Sequence, residues 1–445
     1  MDKRLLLIPL AILLVITSFF VFSGEDCDIN KDGIVEDKER ELCGTYSTDY
    51  IDTTVEGIAV RFYLPEEQTS SPIIIYVPGG YEEKDLTNGL PIGDMVVALF
   101  LFPGVEDKTM NKASEGVYDF RGEDSIAVFK EVVDFCAGNT FDINGDKITD
   151  LIPYALTDNV GAIGVSNGGN LPVAAAASYE LDLNYIIQWE TPVSSQVATR
   201  DLGEIILEPL QDNPSPRRGE FFNPRYEGYG LRTIQVDYSD LTYDPNSLFE
   251  VFHDGNGDGE YTTTLTNAGP SPDLNQDGVL SLDEDFPLDF YPDQNKGYYS
   301  RPVTHALFDN GVLTLSNWPS HIATPTEAED YWGIREAVQL YGEAMENNPD
   351  LKAMVLANVE DHVQSNPYKS HVRQAFDGWN NNGAWVQINP DLKYVLEVDS
   401  SLTFYTIENK PNVAPDWEDL ESYCVPESID AEIYQQAAVY QMADQ

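Results

Sequence analysis

The sequence predicts an α/β fold in which a mostly parallel central sheet is covered by helices on both faces. Between residues 50 and 199, short apolar segments of strand length alternate with segments of helical period, and the alternation resumes after residue 325. The chain has 445 residues, of which 42% are hydrophobic and 11% aromatic. It can therefore bury one large core, with or without a substantial insertion.

The strands are predicted from apolar runs that end at turn residues. Residues 58–64 read as a strand, and residues 72–77 form a continuous apolar run that stops at Pro78-Gly79-Gly80, as a buried strand does. Residues 95–102 form a similar run, which Pro103-Gly104 closes. The remaining predicted strands are residues 159–165, 183–189 and 352–359.

The helices are predicted from a period of three to four residues. In residues 124–137 one face carries the apolar side chains, namely Ile126, Phe129, Val132, Val133 and Cys136. Residues 171–179 are rich in alanine and directly follow a glycine-rich turn. The remaining predicted helices are residues 332–345 and 369–376.

Residues 200–325 interrupt this rhythm, since they are rich in Pro, Gly, Asn, Asp and Tyr. We expect them to form an insertion or lid over the carboxyl edge of the sheet, after the sixth strand. Residues 401–445 form a polar C-terminal extension with some helical pattern and no assigned role. The other predicted divisions are residues 1–24, 25–45, 46–199 and 326–400.

The N-terminus predicts export. Lys3 and Arg4 precede an apolar run over residues 5–22, and an acidic segment follows, which is the pattern of a signal peptide or an N-terminal membrane anchor. Positive charge before the run places the rest of the chain outside the cytoplasm. The sequence leaves cleavage and anchoring open, so the protein is expected to be either secreted or membrane-anchored.

The charge balance argues against nucleic acid as a partner. Lys and Arg number 25, Asp and Glu number 76, and the formal net charge is −51. A surface this acidic repels phosphate backbones. Three explanations fit such a charge. They are adaptation to high salt, partial neutralisation by bound cations, and tolerance of an acidic protein surface outside the cell.

The nucleophile is predicted from Gly164-Val165-Ser166-Asn167-Gly168-Gly169, which matches the G-x-S-x-G pattern. That pattern describes a strained turn from strand to helix, where small neighbours let the backbone pass closely while the serine hydroxyl projects from the sheet edge. An apolar strand leads into this turn and an alanine-rich helix follows it, as the motif requires. An idle serine in a glycine-rich turn is the simpler alternative.

At this motif the chain resembles the α/β-hydrolase superfamily, over about residues 50–380. The double glycine after Ser166 is similar to the branch of prolyl-oligopeptidase-type peptidases and dienelactone hydrolases, as is, loosely, the segment 118–122. The resemblance implies an α/β-hydrolase fold and an oxyanion hole. Its donors would be the backbone N–H of Asn167 and that of Gly80 or Tyr81, although Pro78 stands where the family has histidine.

The resemblance also implies a base and an acid that follow the serine in the chain. Among the five histidines, His362 directly follows a predicted strand and is the expected base, with His371 as the fallback. The acid is expected in a loop after the penultimate strand. We assign it to Asp330, with Glu327 and Glu329 as competitors, although carboxylates at a helix start are common without any catalytic role.

Calcium is predicted from two loops that match the EF-hand spacing, with glycine at the sixth position and an acid at the twelfth. The first has ligand positions Asp28, Asn30, Asp32, Ile34, Glu36 and Glu39. The second has Asp273, Asn275, Asp277, Val279, Ser281 and Glu284. Two weaker matches begin with Asp254, Asn256 and Asp258, and with Asp142, Asn144 and Asp146. Each could instead be a turn that needs no metal.

The first loop has no entering helix, so these loops resemble isolated dockerin-like sites more than paired calcium sensors. Together the motifs predict an extracytoplasmic, calcium-binding serine hydrolase that cleaves an ester or amide bond in a small molecule or peptide. The main alternative is a non-catalytic calcium-binding surface or adhesion protein on the same fold, because a fold does not imply a function. Labelling of Ser166 by an active-site probe distinguishes the two.

Overall fold

The computed structural model describes residues 49–445, apart from a set of internal gaps. These are residues 81–85, 88–89, 91–92, 200, 202–225, 228–234, 263, 267–268, 272–284, 294–295, 360, 362, 364–368, 403–409, 418 and 427–428. The predicted export segment and both full EF-hand matches therefore lie outside the described residues. Within the described part of the chain, no helix is both long and apolar enough to cross a membrane.

The centre of the protein is an eight-stranded, mostly parallel sheet with the strand order β1-β2-β4-β3-β5-β6-β7-β8. Its strands are β1 Tyr50–Val55, β2 Ile58–Tyr63, β3 Ser71–Val77, β4 Val96–Phe100, β5 Ala155–Val165, β6 Tyr185–Trp189, β7 Lys352–Leu356 and β8 Trp385–Ile388. Strand β2 pairs antiparallel with β1 and with β4, and the other pairs are parallel. The predicted α/β sheet is confirmed.

The helices are α1 Glu123–Cys136, α2 Ile148–Leu151, α3 Asn170–Ser178, α4 Ser195–Ala198, α5 Arg301–Asp309, α6 Pro325–Gly333, α7 Ala337–Asn347, α8 Ser370–Asn381, α9 Leu392–Val398 and α10 Ala431–Ala443. Helices α1, α3, α7 and α8 contact one another in turn, and α10 packs with α9 and against β5, β6 and β7. The ends of β5, β6 and β7 are almost continuously buried. Because these strands are buried on both faces, the sheet is covered on each of its two sides.

Two strands were not predicted from the sequence. Strand β1 is polar and half exposed because it lies at the edge of the sheet, so it lacks an apolar run. Strand β8 spans only Trp385–Ile388 and contains a buried glutamine, Gln387. A consequence for the site is that β7 is the penultimate strand of the sheet and not the last.

The prediction of one helix over residues 332–345 is wrong, because the chain breaks there into α6 and α7. Helix α6 starts at a capping box, in which Thr324 accepts a hydrogen bond from the backbone N–H of Glu327. It ends at Gly333, and α7 starts at Ala337. The intervening Arg335 is buried and directs its guanidinium toward the segment before α1.

The described part of residues 200–325 has a small core of its own. This core contains Leu241, Val251, Phe286, Leu288, Tyr299, Val303, Leu307, Leu313 and Ile322. Its short strands are Tyr226–Glu227, Gln235–Val236, Leu241–Tyr243, Val251–His253, Thr264–Thr266, Gly269–Ser271, Phe286–Pro287, Tyr291–Asp293 and Lys296–Tyr298. A further small pair, Glu106–Asp107 with Lys112–Ala113, follows β4.

The C-terminal segment is part of the main core. Residues Leu420, Cys424 and Val425 and much of α10 belong to the same buried cluster as the central sheet. The backbone of Val359 donates to the carbonyl oxygen of Val425, which ties this segment to the end of β7. Its helical pattern looked weak because α10 has polar side chains, Gln435 and Gln441, among its buried positions.

Candidate active site

The chain reverses its direction of winding between β3 and β5. From β3 it passes to β4 on one side, and it then returns across β3 to form β5 on the other side. In sheets of this kind, ligands bind outside the carboxyl ends of the strands at the point where the strand order reverses. The loops after β3 and β5 therefore mark the expected crevice.

The strand register places the predicted nucleophile loop at this crevice. Val77 at the end of β3 pairs with Gly164 in β5, so Gly79 lies level with Ser166. Val165 in turn pairs with Trp189 at the end of β6, and Trp189 pairs with Leu356 at the end of β7. The residues that follow these strands consequently share one edge of the sheet.

Ser166 adopts the strained conformation that the motif predicts. Its φ is 50°, in the left-handed region that non-glycine residues rarely occupy. Ser166 is the first residue of the single turn Ser166–Gly169, which connects β5 to α3. Such strain persists only where the surroundings hold it in place, and it concentrates at functional sites.

The glycines of the motif are required by close backbone approaches. A Cβ atom on Gly164 would lie 2.4 Å from the Cα atom of Gly169, and one on Gly168 would lie 2.4 Å from the carbonyl oxygen of Val77. A Cβ on Gly169 would lie 2.0 Å from the Thr191 hydroxyl oxygen. Backbone atoms therefore exclude a Cβ at Gly164 and Gly168, whereas one at Gly169 would require the Thr191 side chain to shift.

The loop after β3 lies directly against the nucleophile. A Cβ atom on Gly79 would lie 3.0 Å from the Cβ atom of Ser166, and Gly80 has a φ of 74° and is buried. The structure thus brings Gly80 and Asn167, two predicted oxyanion donors, to the same end of the sheet as Ser166. Tyr81, the alternative donor, lies outside the described residues.

The nucleophile turn is buried and contacts a residue of the segment 200–325. Ser166 is 7% exposed and Asn167 is 5% exposed. The side-chain amide of Asn167 donates a hydrogen bond of 3.1 Å to the hydroxyl of Tyr291, which belongs to the insertion. Tyr291 meets Trp332 edge to face, and the ring of Tyr331 stacks on that of Tyr298 at 4.0 Å. An aromatic layer therefore adjoins the nucleophile turn.

The assignment of the acid rested on a wrong strand count. The loop before α6 follows the insertion and not a strand of the central sheet, since β7 is the penultimate strand. Asp330 lies on α6 with an exposed side chain, Glu327 caps that helix and pairs with Lys296, and Glu329 pairs with Arg301 and His305. The hydrogen bond from Lys296 lowers the pKa of Glu327.

The loop after the penultimate strand carries Asp361, which is completely buried. Its carboxylate accepts the backbone N–H of Val363 and lies 2.7 Å from Nε2 of His371, which is also buried. Asp361 directly precedes the predicted base His362, so the sequence could have indicated it as a candidate acid. It was not proposed because β8 was not predicted, and β7 was therefore taken as the last strand.

A second buried carboxylate at this edge, Glu190, follows β6 directly. It has a φ of 46° and is 6% exposed, and it accepts a hydrogen bond from the side chain of Asn358, which follows β7. Asn358 also donates to the hydroxyl of Tyr434 on α10. Burial raises the pKa of Tyr434, and the negative charges of Glu190 and Asp361 add to this effect.

The remaining histidines are placed as follows. His362, the predicted base, lies outside the described residues, and no histidine follows His371 in the chain. His253 pairs with Asp240 and His321 with Glu250, both within the insertion. The position after the last strand is held by Asn389, whose side chain bonds the backbone of Ala357.

Comparison with known proteins identifies similar structures at low coverage. No protein-family model matches the sequence, and no curated protein matches it. An α/β hydrolase, MGS-M1 from a Medee basin deep-sea metagenome library, is 12% identical with a TM-score of 0.23, covering 39% of this chain and 64% of its own. The esterase Est22 is 14% identical with a TM-score of 0.23, covering 37% and 47%.

The hyperthermophilic esterase from the archaeon Pyrobaculum calidifontis is 15% identical with a TM-score of 0.23, covering 33% of this chain and 46% of its own. The matched region thus spans less than two thirds of each of these three proteins. All three likenesses are low in TM-score as well as in coverage.

The predicted loop at Asp142 is closed by its own hydrogen bonds. The Asp142 carboxylate accepts the backbone N–H groups of Asn144 and Asp146 and the hydroxyl of Thr53. Burial would raise the pKa of Asp142, but these hydrogen bonds outweigh it and lower the pKa. Lys147 stands where the calcium pattern has glycine, so the loop is accounted for as a turn.

The predicted loop at Asp254 is also organised around one carboxylate. Asp254 accepts the backbone N–H groups of Gly257, Asp258 and Gly259. Burial, with the nearby charges of Asp254 and Asp258, raises the pKa of Asp285. Among the described residues, no group of three or more His, Cys, Asp and Glu side chains is arranged to hold a metal. Calcium binding therefore stays a prediction.

Proposed function

We propose that the protein is a serine hydrolase that cleaves an ester or amide bond through an acyl-enzyme on Ser166. The observation that carries this proposal is the left-handed backbone of Ser166, at φ 50°, in a glycine-lined turn from β5 to α3. That turn lies at the carboxyl edge of a parallel sheet, next to the point where the strand order reverses. A serine without a catalytic role would not require this strained backbone conformation.

The chemistry follows from the groups around the turn. The Ser166 oxygen forms a bond to the substrate carbonyl carbon while its proton passes to a base, and the carbonyl oxygen becomes an oxyanion. The backbone N–H groups of Asn167 and Gly80 are the proposed donors to this oxyanion. The bond to the leaving group then breaks, that group takes the proton, and water later releases the acyl group from Ser166.

The base is proposed to be His362, which follows β7 in the sequence; β7 ends at the same sheet edge as β5. His371 remains the fallback, although its Nε2 already contacts Asp361 and only Nδ1 would be left to reach the serine. For the acid we now favour Asp361 over Asp330. A triad acid is buried, and Asp361 is fully buried where Asp330 is exposed. The imidazole that Asp361 contacts is that of His371, so Asp361 would act with His362 only if that contact were exchanged.

The substrate is proposed to be a small-molecule ester or a peptide with an apolar group near the scissile bond. The hydroxyl of Tyr291 contacts Asn167, and the ring of Tyr291 meets that of Trp332 edge to face, so apolar side chains adjoin the site. Export to the cell exterior and calcium in the loops at Asp28 and Asp273 are part of the proposal. They rest on the sequence patterns alone.

The test is covalent labelling of the full chain by a fluorophosphonate probe, with calcium and with a chelator. We expect labelling of the native chain that Ser166→Ala abolishes. Ser178→Ala is the matched control, because Ser178 ends α3 and its hydroxyl only bonds the Ala174 carbonyl. Labelling that fades in chelator would support a calcium-ordered site.

If the folded, calcium-loaded protein is not labelled, the hydrolase proposal fails. The non-catalytic binding protein then becomes the better account. Labelling that persists unchanged in Ser166→Ala would also contradict the assignment of the nucleophile.

A further inference from the structure

We propose that Arg121 is a positioning residue that orients the oxyanion donors of the loop after β3. This inference rests on the proposed function. Arg121 is 4% exposed, and its Nη2 atom donates to the carbonyl oxygens of Pro78, at 2.6 Å, and Gly79, at 3.3 Å. These are the two peptide groups that precede Gly80.

The orientation follows from the planarity of the peptide group. In a trans peptide the C=O and the N–H point in opposite directions, and no cis peptide bond occurs in the described residues. The N–H of Gly80 belongs to the same peptide group as the Gly79 carbonyl. A guanidinium that holds this carbonyl on one side therefore holds the Gly80 N–H on the other side.

The charge of Arg121 adds a second effect. A cation at the carbonyl end of a peptide polarises the group and makes its N–H a better donor, as hydrogen bonds in a chain strengthen one another. The donor is most needed when the substrate oxygen becomes negative. Arg121 is thus expected to stabilise the transition state more than the bound substrate.

The segment that carries Arg121 is held firmly. Phe120 and Arg121 both have left-handed backbones, at φ 52° and 62°. Asp119 accepts the backbone N–H groups of Asp124 and Ser125 and so caps the start of α1. The segment 118–122 therefore holds Arg121 in place and caps α1, a role that the sequence alone did not show.

A second arginine holds the same segment from the other side. Arg335, at the break between α6 and α7, donates to the carbonyl oxygens of Asp119 at 2.7 Å and Phe120 at 2.9 Å. Gly122 permits this approach, since a Cβ atom there would lie 2.6 Å from Nη2 of Arg335. Among the described residues, Arg335 donates to this segment and to the Tyr331 carbonyl, and no hydrogen bond joins it to the loop after β3.

A purely structural role for Arg121 makes a different prediction. An arginine that only satisfies two buried carbonyl groups would stabilise the fold without changing the chemical step. The two roles are separated by the turnover number, because a donor that acts only in the transition state changes kcat and leaves KM nearly constant.

The experiment compares Arg121→Gln and Arg121→Lys with Arg373→Gln, assayed on p-nitrophenyl acetate and by the rate of fluorophosphonate labelling. Arg373 is also buried, on α8, where it lies over the Trp417 ring, so it controls for the loss of a buried arginine. We expect Arg121→Gln to lower kcat about 10- to 100-fold with KM within about threefold. Arg121→Lys keeps the charge and should recover much of that loss.

Three outcomes decide the matter. If the kcat of Arg121→Gln lies within about threefold of the kcat of Arg373→Gln, Arg121 has only a structural role and the inference is wrong. If the native chain is not labelled at Ser166, the proposed function fails and this inference falls with it. If the native chain is labelled and only the arginine variant is slow, both proposals stand.

Should Arg121→Gln fail to fold, Arg335→Gln replaces it. That variant leaves Arg121 in place but frees the carbonyl groups of Asp119 and Phe120. We expect a smaller loss in kcat, about three- to tenfold, again with KM nearly constant. Native kcat in both Arg335→Gln and Arg121→Lys would overturn the inference.

Discussion

Tyr291 of the insertion and Asn167 of the nucleophile turn are joined by a hydrogen bond of 3.1 Å, donated by the Asn167 side-chain amide. They are far apart in the sequence, and this contact places Tyr291 next to the nucleophile turn. The side-chain oxygen of Asn167 is buried without a hydrogen-bond partner among the described residues. The amide of Asn167 is thus held through its nitrogen.

The first prediction concerns this contact. Tyr291→Phe removes the hydroxyl and leaves a buried amide N–H of Asn167 without that acceptor. We expect the free energy of unfolding to fall by about 1 kcal/mol and kcat/KM to fall about threefold to tenfold. Urea denaturation and hydrolysis of p-nitrophenyl acetate measure the two effects.

Its control is Tyr298→Phe, which keeps the ring that stacks on Tyr331 and changes a hydroxyl in the same part of the insertion. If both variants lose the same activity, the effect belongs to the aromatic layer in general and the link through Asn167 is not specific.

The second prediction concerns the backbone of the turn. In Gly164→Ala the new Cβ meets backbone atoms of Gly168 and Gly169 at 2.5 Å or less. Backbone cannot move aside as a side chain can, so we expect a destabilisation of about 3 kcal/mol or more and loss of labelling at Ser166. Thermal denaturation of the purified variant is the measurement.

Gly333→Ala provides the comparison, because no heavy atom lies within 4 Å of its added Cβ. It should be neutral or stabilising by up to about 1 kcal/mol. Equal stability of the two alanine variants would show that the turn is looser than the structure indicates.

The third prediction separates the candidate acids. Asp330→Asn changes an exposed carboxylate on α6, and we expect kcat/KM to stay within about threefold of the native value. Asp361→Asn should lower kcat by up to about 10⁴-fold, the order seen when a triad acid is replaced by its amide. Steady-state kinetics of the two isosteric variants gives the comparison.

Asp361 also pairs with His371 in the core, so the loss in Asp361→Asn needs a stability control. Urea denaturation of Asp361→Asn itself provides it, because a folded variant with a large loss in kcat separates a catalytic role from a structural one. A strong loss in Asp330→Asn would restore the original assignment. A loss confined to Glu190→Gln would move the acid to the end of β6.

The fourth prediction concerns pH. Asp201 is completely buried, which raises its pKa well above the usual range although Ser300 and Tyr238 donate hydrogen bonds to it, and the nearby Glu336 carboxylate adds to the shift. A carboxyl group with a raised pKa binds more protons in the folded state. Its stabilisation is therefore fully present below the unfolded pKa, about 3.9, and is lost as the pH rises through the folded pKa.

We accordingly expect the free energy of unfolding of the native chain to fall between about pH 4 and pH 8 by more than that of Asp201→Asn. Urea denaturation across this range measures the difference. Asp309→Asn, an exposed position at the end of α5, should follow the native curve. Parallel curves for the native chain and Asp201→Asn would contradict the burial of a protonated Asp201.

Much of the fold could be predicted because its signals are local. An apolar run, a glycine-rich turn and an alanine-rich helix are contiguous, so the passage from β5 through Ser166 to α3 is visible in the sequence. Strand β8 was not predicted and helix α10 showed only a weak helical pattern, because buried glutamines interrupt their apolar patterns. Their burial depends on partners that lie elsewhere in the chain.

The sequence by itself therefore determined the α/β class and the position of the candidate nucleophile turn. Only the tertiary structure decided which carboxylates reach the edge of the sheet, since counting strands correctly requires their pairing. It also showed that Arg121 donates a hydrogen bond to the loop after β3 and that Tyr291 accepts one from Asn167. Such contacts join residues that are distant in the chain, and packing, not any local pattern, brings them together.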